Sequence, residues 1–119
     1  MGTAKPLRVL CLEDNPLIAF HLEQMLEDLG HLPLLTLASF AQLQALAELE
    51  IDCALVDIDL ADGRTGPTAA RWLQERDITC VFVSGQQDIA EANRQFVTDI
   101  IAKPIMVEDL AKVLNRLKG

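Results

Sequence analysis

Residues 53–59 have the sequence CALVDID, an apolar run of four residues that ends in two carboxylates on either side of an isoleucine. A short apolar run of this kind is typical of a strand that is buried on both faces of a sheet. The other short, mainly apolar runs are Leu7–Leu12, Leu32–Thr36, Cys80–Val83 and Ile100–Ala102. We therefore expect one sheet covered by helices on both faces.

Helix-like segments separate these runs. The first is predicted to begin after the N-cap Asn15, with Pro16 at its first position, and to stop at Gly30. The second helix is predicted from Ser39, which forms a capping box with Gln42, to about Leu49. A third is predicted at Gly66–Gln74 and a fourth within Asp88–Phe96. The last has Leu110, Val113, Leu114 and Leu117 on one face. Alternation of strands and helices predicts an α/β fold with parallel strands and right-handed crossovers.

Polar side chains follow four of the predicted strands at the point where each strand ends. They are Glu13 and Asp14 after the first strand, Asp57 after the third, Ser84 after the fourth and Lys103 after the fifth. A doubly wound sheet binds its ligand at the carboxyl ends of its strands. We therefore expect these five side chains to form one site.

Each of these residue types has a use in phosphoryl transfer. Carboxylate oxygens are suitable ligands for a hard cation such as Mg²⁺. Asp57 could accept a phosphoryl group as an acyl phosphate, while Lys103 and Ser84 stabilise the charge on that group. Taken one at a time, an acidic turn, a Ser-Gly loop or a Lys-Pro strand end is equally typical of ordinary surface structure. The combination of four strand ends favours a functional site.

Length, charge and cysteine content narrow the choice of function. The 119 residues suit one domain, 1–119, with a core of about residues 7–117. Ten Lys and Arg against 18 Asp and Glu give a net charge of −8, which opposes direct binding to nucleic acid. No apolar stretch is long enough to cross a membrane and no apolar signal region is present, so we expect a cytoplasmic protein. Cys11, Cys53 and Cys80 are expected to be reduced core thiols.

As an ordered set, these residues resemble the receiver domains of bacterial two-component response regulators (CheY-like), from Leu7 to Leu117. The resemblance rests on Glu13, Asp14, Asp57, Leu60, Asp62, Gly63, Gly66, Ser84 and Lys103. It implies a flavodoxin-like doubly wound sheet of five parallel strands, order 2-1-3-4-5, with five flanking helices. It also implies phosphotransfer to Asp57 from a phosphohistidine on a sensor histidine kinase or a histidine phosphotransfer protein.

The same resemblance assigns roles to the site residues and implies a switch that acts on a downstream protein target. The implied ligands of Mg²⁺ are Glu13, Asp14, Asp57 and the backbone carbonyl of Asp59. Ser84 would bind a phosphoryl oxygen, Lys103 would pair with the phosphate, and Lys103–Pro104 is expected to be a cis peptide. Such a domain is not an enzyme for other substrates, because it catalyses only its own phosphorylation and dephosphorylation. Asp59 and Gln86 are expected to change the lifetime of the acyl phosphate, and both a longer and a shorter lifetime are left open.

Three features depart from the family pattern, at two single positions and one dipeptide. Ile100 stands where receiver domains usually have a switch Tyr or Phe, Ala61 replaces a proline, and Phe96-Val97 replaces Gly-Ala. Phe96 is a candidate to replace the missing aromatic residue in part. Since no output domain follows Gly119, we expect a single-domain regulator. The alternative that the sequence is a piece of a longer protein is left open, and so is the formation of a homodimer.

A docking surface for the phosphodonor is predicted on the first helix. Its core stripe consists of Ile18, Leu22, Met25, Leu26 and Leu29. At helical spacing Leu17, Phe20 and His21 point away from that stripe, and Pro104 and Ile105 lie at the same edge of the sheet. Single exposed apolar residues are also common on surfaces without partners.

Other functional classes also fit parts of the sequence. Asp57-Ile58-Asp59 resembles the Asp-x-Asp of haloacid-dehalogenase-type phosphatases, although there the motif ends the first strand. A binding module that is never phosphorylated is a third possibility, favoured by Ile100. A nucleotide-binding flavodoxin-like protein is disfavoured, because the loop after the first strand lacks phosphate-binding glycines.

Overall fold

The computed structural model describes residues 5–118 as five strands and five α-helices in alternation. The strands are β1 Arg8–Leu12, β2 Leu32–Leu37, β3 Cys53–Val56, β4 Thr79–Ser84 and β5 Asp99–Ala102. The helices are α1 Pro16–Asp28, α2 Phe40–Gln44, α3 Gly66–Gln74, α4 Gln87–Ala92 and α5 Val107–Lys118, with a 3₁₀ turn at Arg94–Phe96. Within residues 5–118 every helix is too short or too polar to span a bilayer.

All neighbouring strands are parallel, in the order β2-β1-β3-β4-β5, which confirms the predicted flavodoxin-like topology. The sheet separates two apolar cores. Helices α1 and α5 cover one face, where Leu26 and Leu114 are fully buried, and α2, α3 and α4 cover the other, where Leu73 and Phe82 are fully buried. Burying a side chain of this size stabilises the fold by roughly 1.5–3 kcal/mol.

The start of α1 follows its predicted capping pattern. The Asn15 side chain accepts hydrogen bonds from the N–H groups of Leu17 and Ile18, and Pro16 occupies the first turn. At the other end Gly30 has φ +85°, the left-handed conformation that a glycine adopts without strain. These two signals fix the length of the helix that follows Glu13 and Asp14.

Helix α2 is shorter than predicted, because it ends at Gln44 instead of near Leu49. The Ser39 cap forms as expected, since its side chain accepts from the N–H of Gln42. Beyond Gln44, however, Leu46, Leu49 and Ile51 all pack against the core on this face. The contacts of this irregular segment with the core replace the last turn of the predicted helix, so tertiary packing overrides local helix propensity here.

The predicted fourth helix is divided. Asn93 interrupts it with φ −116° and ψ 20°, and its side chain donates to the carbonyl of Ile89, so α4 ends at Ala92. The 3₁₀ turn then leads into β5.

Coverage of the sheet is less complete at its edge than expected. Leu32 and Leu34 on the edge strand β2 are exposed, although the strands inside the sheet are buried on both faces. The three cysteines are free and buried, as predicted. Burial raises the pKa of each thiol to about 12, so the thiols stay protonated.

Candidate functional site

The carboxyl ends of β1, β3, β4 and β5 bring the predicted site residues to one edge of the sheet. Hydrogen bonds of the sheet continue one residue past these strands: the Asp57 N–H donates to the Leu12 carbonyl, and the Lys103 N–H to the Ser84 carbonyl, both at 3.0 Å. The Glu13 N–H is bonded to β2 in the same way. The backbone from which each side chain starts is therefore fixed.

Lys103 joins two of the carboxylates. Its Nζ lies 2.7 Å from Glu13 Oε1 and 2.8 Å from Asp57 Oδ2, across 90 and 46 residues of sequence. The other oxygen of Asp57 accepts a hydrogen bond from the Ile58 N–H at 2.8 Å. Glu13 is only 5% exposed and Asp57 9%, so water screens these ion pairs weakly.

Burial and ion pairing act in opposite directions on these groups. Burial alone lowers the pKa of Lys103, but its hydrogen bonds to Asp57 and Glu13 outweigh this, and the pKa of Lys103 lies above its usual value. At Glu13 burial is the largest influence and raises the pKa of the carboxyl group despite Lys103. A further cation beside Glu13 would offset that cost of burial, so the site favours positive charge.

The residues predicted to hold a metal ion lie close together. One oxygen from each of Glu13, Asp14 and Asp57 lies within 4.8 Å of the others. Asp14 is exposed, so the cluster opens to solvent at this side. Oxygen ligands at a solvent-open edge suit Mg²⁺, which keeps several waters. The role predicted for the Asp59 carbonyl stays a prediction.

Ser84 is fully buried at the end of β4. Its Oγ accepts a hydrogen bond from the Gln86 N–H at 2.8 Å, which leaves the hydroxyl proton available to another acceptor. The peptide bond between Lys103 and Pro104 is cis, as the resemblance predicted.

A ring of three side chains lies beside this site and was not predicted as a unit. Arg64 donates through Nε to Asp59 Oδ1 and through a terminal nitrogen to Gln86 Oε1, both at 3.0 Å. Gln86 donates through Nε2 to Asp59 Oδ2 at 2.6 Å. The hydrogen bonds from Arg64 and Gln86 lower the pKa of Asp59, with a smaller contribution from the charge of Lys103. Nothing in the sequence around Arg64 indicated this contact.

Ile100, which stands where receiver domains usually have a switch Tyr or Phe, lies in β5, and its role in switching stays a prediction. Ile100 pairs with Phe82 in the sheet and is partly buried against the core under α2, α3 and α4. Phe96 lies near Thr79 and Cys80, at the amino end of β4, whereas Ser84 is at the carboxyl end. Since a strand rises about 3.3 Å per residue, Phe96 is too far away to follow Ser84.

Three of the predicted docking residues, His21, Pro104 and Ile105, line an apolar groove, and the other two are exposed on α1. Leu17 is 80% exposed and Phe20 61%. Beside them lies a groove of about 450 Å³, whose lining consists of Ile18, His21, Lys103, Pro104 and Ile105. Because Lys103 also contacts Asp57, this groove reaches the site.

A five-stranded parallel sheet in this order, with acidic side chains, a serine and a lysine at its carboxyl edge, defines the class of phosphoacceptor switch domains. The chain belongs to the response regulator receiver domain family, whose model matches residues 9–115. Receiver domains act in two-component phosphorelay signalling. Neither the dehalogenase-type phosphatase nor the pure binding module is supported by this match.

Relatives with this domain include both kinases and regulators. The chain is 31% identical to sensor histidine kinase GacS of Pseudomonas protegens over 94% of its own length and 13% of that protein's length. It is 32% identical to the virulence transcriptional regulatory protein PhoP of Salmonella choleraesuis, over 93% of this chain and 51% of PhoP. The chain thus covers about half of the length of PhoP and a much smaller part of the length of GacS.

A solved structure with a similar fold contains a magnesium ion. The receiver domain of sensor histidine kinase PA1611 from Pseudomonas aeruginosa, which has a magnesium ion coordinated in its active-site cleft, is 25% identical to this chain. The two structures superimpose with a TM-score of 0.80, over 96% of this chain and 98% of that one.

Proposed function

We propose that Asp57 is the phosphoacceptor of this receiver domain and that the reaction requires Mg²⁺. The ligands of the ion are Glu13, Asp14, Asp57 and the backbone carbonyl of Asp59. The domain catalyses only its own phosphorylation and dephosphorylation. The observation that carries this proposal is that Asp57 pairs with Lys103 and lies in one cluster with the carboxylates of Glu13 and Asp14.

Different residues act at different points of the phosphoryl transfer. A carboxylate oxygen of Asp57 attacks the phosphorus of a phosphohistidine whose other ring nitrogen is protonated. A P–O bond forms as the P–N bond breaks, the bonding pair stays on the ring nitrogen, and the imidazole leaves as a neutral ring. Bound Mg²⁺ supplies positive charge that stabilises the phosphoryl oxygens in the transition state. Lys103 moves from its two carboxylate partners to the phosphoryl group, and the Ser84 hydroxyl donates to one of the phosphoryl oxygens.

The phosphodonor is a sensor histidine kinase or a histidine phosphotransfer protein, and a downstream protein reads the phosphorylated state. The donor docks on the exposed side of α1, at Leu17, Phe20 and His21, and on Pro104 and Ile105. The apolar groove that reaches Lys103 supports this choice, because a donor histidine must approach Asp57 from that edge.

Incubation of the chain with Mg²⁺ and acetyl phosphate, followed by intact-mass measurement, tests this proposal. We expect an adduct of one phosphoryl group that is absent in Asp57→Asn and in excess chelator. An adduct that persists in Asp57→Asn, or that forms equally well without a divalent cation, would contradict the mechanism.

A further inference from the structure

The loop that carries Arg64 is held rigidly. Leu60 and Gly63 exchange backbone hydrogen bonds at 2.8 and 3.0 Å, with Gly63 at φ +105°. Asp62 accepts from the N–H groups of Phe40 and Ala41 at the start of α2. Arg64 therefore follows a turn that is hydrogen-bonded within itself and to the start of α2. The backbone of this turn helps to set the direction of the Arg64 side chain.

The chemistry of the three groups also fixes the orientation of Gln86. Its amide oxygen faces the Arg64 guanidinium, which only donates, and its amide nitrogen faces the Asp59 carboxylate, which only accepts. A reversed amide would break both hydrogen bonds. Gln86 precedes α4 at the N-cap position, yet its side chain makes no capping hydrogen bond and serves the ring instead.

The ring spans the two loops beside the phosphoacceptor. Asp59 is two residues after Asp57, and Gln86 is two residues after Ser84, whose Oγ holds the Gln86 backbone N–H. Arg64 thus occupies one oxygen of the Asp59 carboxylate and the Gln86 amide oxygen. Arg64 therefore competes with water for one lone pair of each of these oxygens.

From this geometry we infer that Arg64 is a positioning residue that prolongs the life of the phosphorylated domain, an inference that rests on the proposed phosphorylation of Asp57. In hydrolysis, a water oxygen attacks the phosphorus, the P–O bond to Asp57 breaks, and the water proton leaves with inorganic phosphate or solvent. Asp59 or Gln86 could orient that water by accepting its hydrogen bond. Because Arg64 competes with water for these oxygens and holds both side chains in the ring, it makes that orientation of water less frequent.

The test is a comparison of acyl-phosphate lifetimes. The chain is labelled with acetyl phosphate and Mg²⁺, the donor is removed by desalting, and the phosphorylated fraction is followed by intact mass. Arg64→Met should form the adduct but lose it about two- to fivefold faster, a factor in the range of one exposed ion pair. The matched control is Arg71→Met, which removes another exposed arginine, on α3, that pairs with Glu75 just after the helix, and should decay like wild type.

A double-mutant cycle separates positioning from direct contact with phosphate. When Asp59 and Gln86 are both replaced by alanine, Arg64→Met should have no further effect on the lifetime. An effect that persists in that background, or a wild-type lifetime in Arg64→Met alone, would overturn the inference. Failure of the wild-type chain to form any adduct would instead refute the proposed function, and the inference with it.

Discussion

Lys103 is the positive side chain that pairs with two of the carboxylates of the site. Its ammonium group holds Glu13 and Asp57 together, and the side chain is 20% exposed. The sequence predicted this residue and its partners, because all three follow apolar runs whose ends meet at one edge. It did not predict Arg64, because the direction of that side chain depends on a turn at Gly63 and on a glutamine 22 residues away.

Replacing Lys103 with alanine should separate metal binding from switching. We expect Lys103→Ala to bind Mg²⁺ at least as tightly as wild type, because a positive charge 2.7 Å from Glu13 is removed. The phosphorylated variant should lose most of the structural change, since the phosphoryl charge is less compensated. NMR chemical shifts measured with Mg²⁺ and then with acetyl phosphate test both parts. Equal phosphorylation-induced shifts in variant and wild type would exclude this role.

At the scale of elements, the junction between β3 and α3 positions the phosphoacceptor. The N–H of Gly66, the first residue of α3, donates to the Ile58 carbonyl at 2.9 Å. A Cβ on Gly66 would lie 2.0 Å from the carbonyl oxygen of Asp57. The sequence placed the start of this helix correctly, but the close approach of its backbone to Asp57 follows only from the three-dimensional packing.

Gly66→Ala should therefore disturb both stability and chemistry. Overpacking against backbone atoms typically costs 1–3 kcal/mol, so we expect the free energy of unfolding in urea to fall by about 2–3 kcal/mol. Labelling of Asp57 by acetyl phosphate should slow as well, because the backbone of Asp57 must shift. Gly85→Ala is the control, since no atom lies within 4 Å of its added Cβ. Wild-type stability and labelling in Gly66→Ala would show that the junction tolerates the shift.

At the scale of the whole molecule, four exposed apolar residues form two surfaces, apart from Met106 and Val107 at the start of α5. Leu17 and Phe20 lie on α1 beside the site, and Leu32 and Leu34 lie on the edge strand β2. Helical periodicity predicted the first pair. It could not predict the second, because which strand forms the edge depends on the order of the sheet and not on the apolar run itself.

These two surfaces provide a matched test of docking. Phe20→Ala and Leu17→Ala should each slow phosphotransfer from the cognate histidine protein about tenfold, the effect of roughly 1.4 kcal/mol at an interface. Labelling by acetyl phosphate should stay unchanged, because a small donor does not use this surface. Leu34→Ala removes an exposed leucine from β2 and should alter neither rate. Equal losses with both donors would indicate a folding defect, and no loss with either would remove α1 from the interface.

The identity of the phosphorylated residue is the central claim, and reductive trapping tests it most directly. Borohydride converts an acyl phosphate into a primary alcohol with release of phosphate, so a phosphorylated aspartate becomes homoserine. After treatment with acetyl phosphate and Mg²⁺, peptide mapping should find homoserine at position 57 and none when a chelator is present. Homoserine at another aspartate, or stable phosphate on a serine or histidine with position 57 unmodified, would contradict the account.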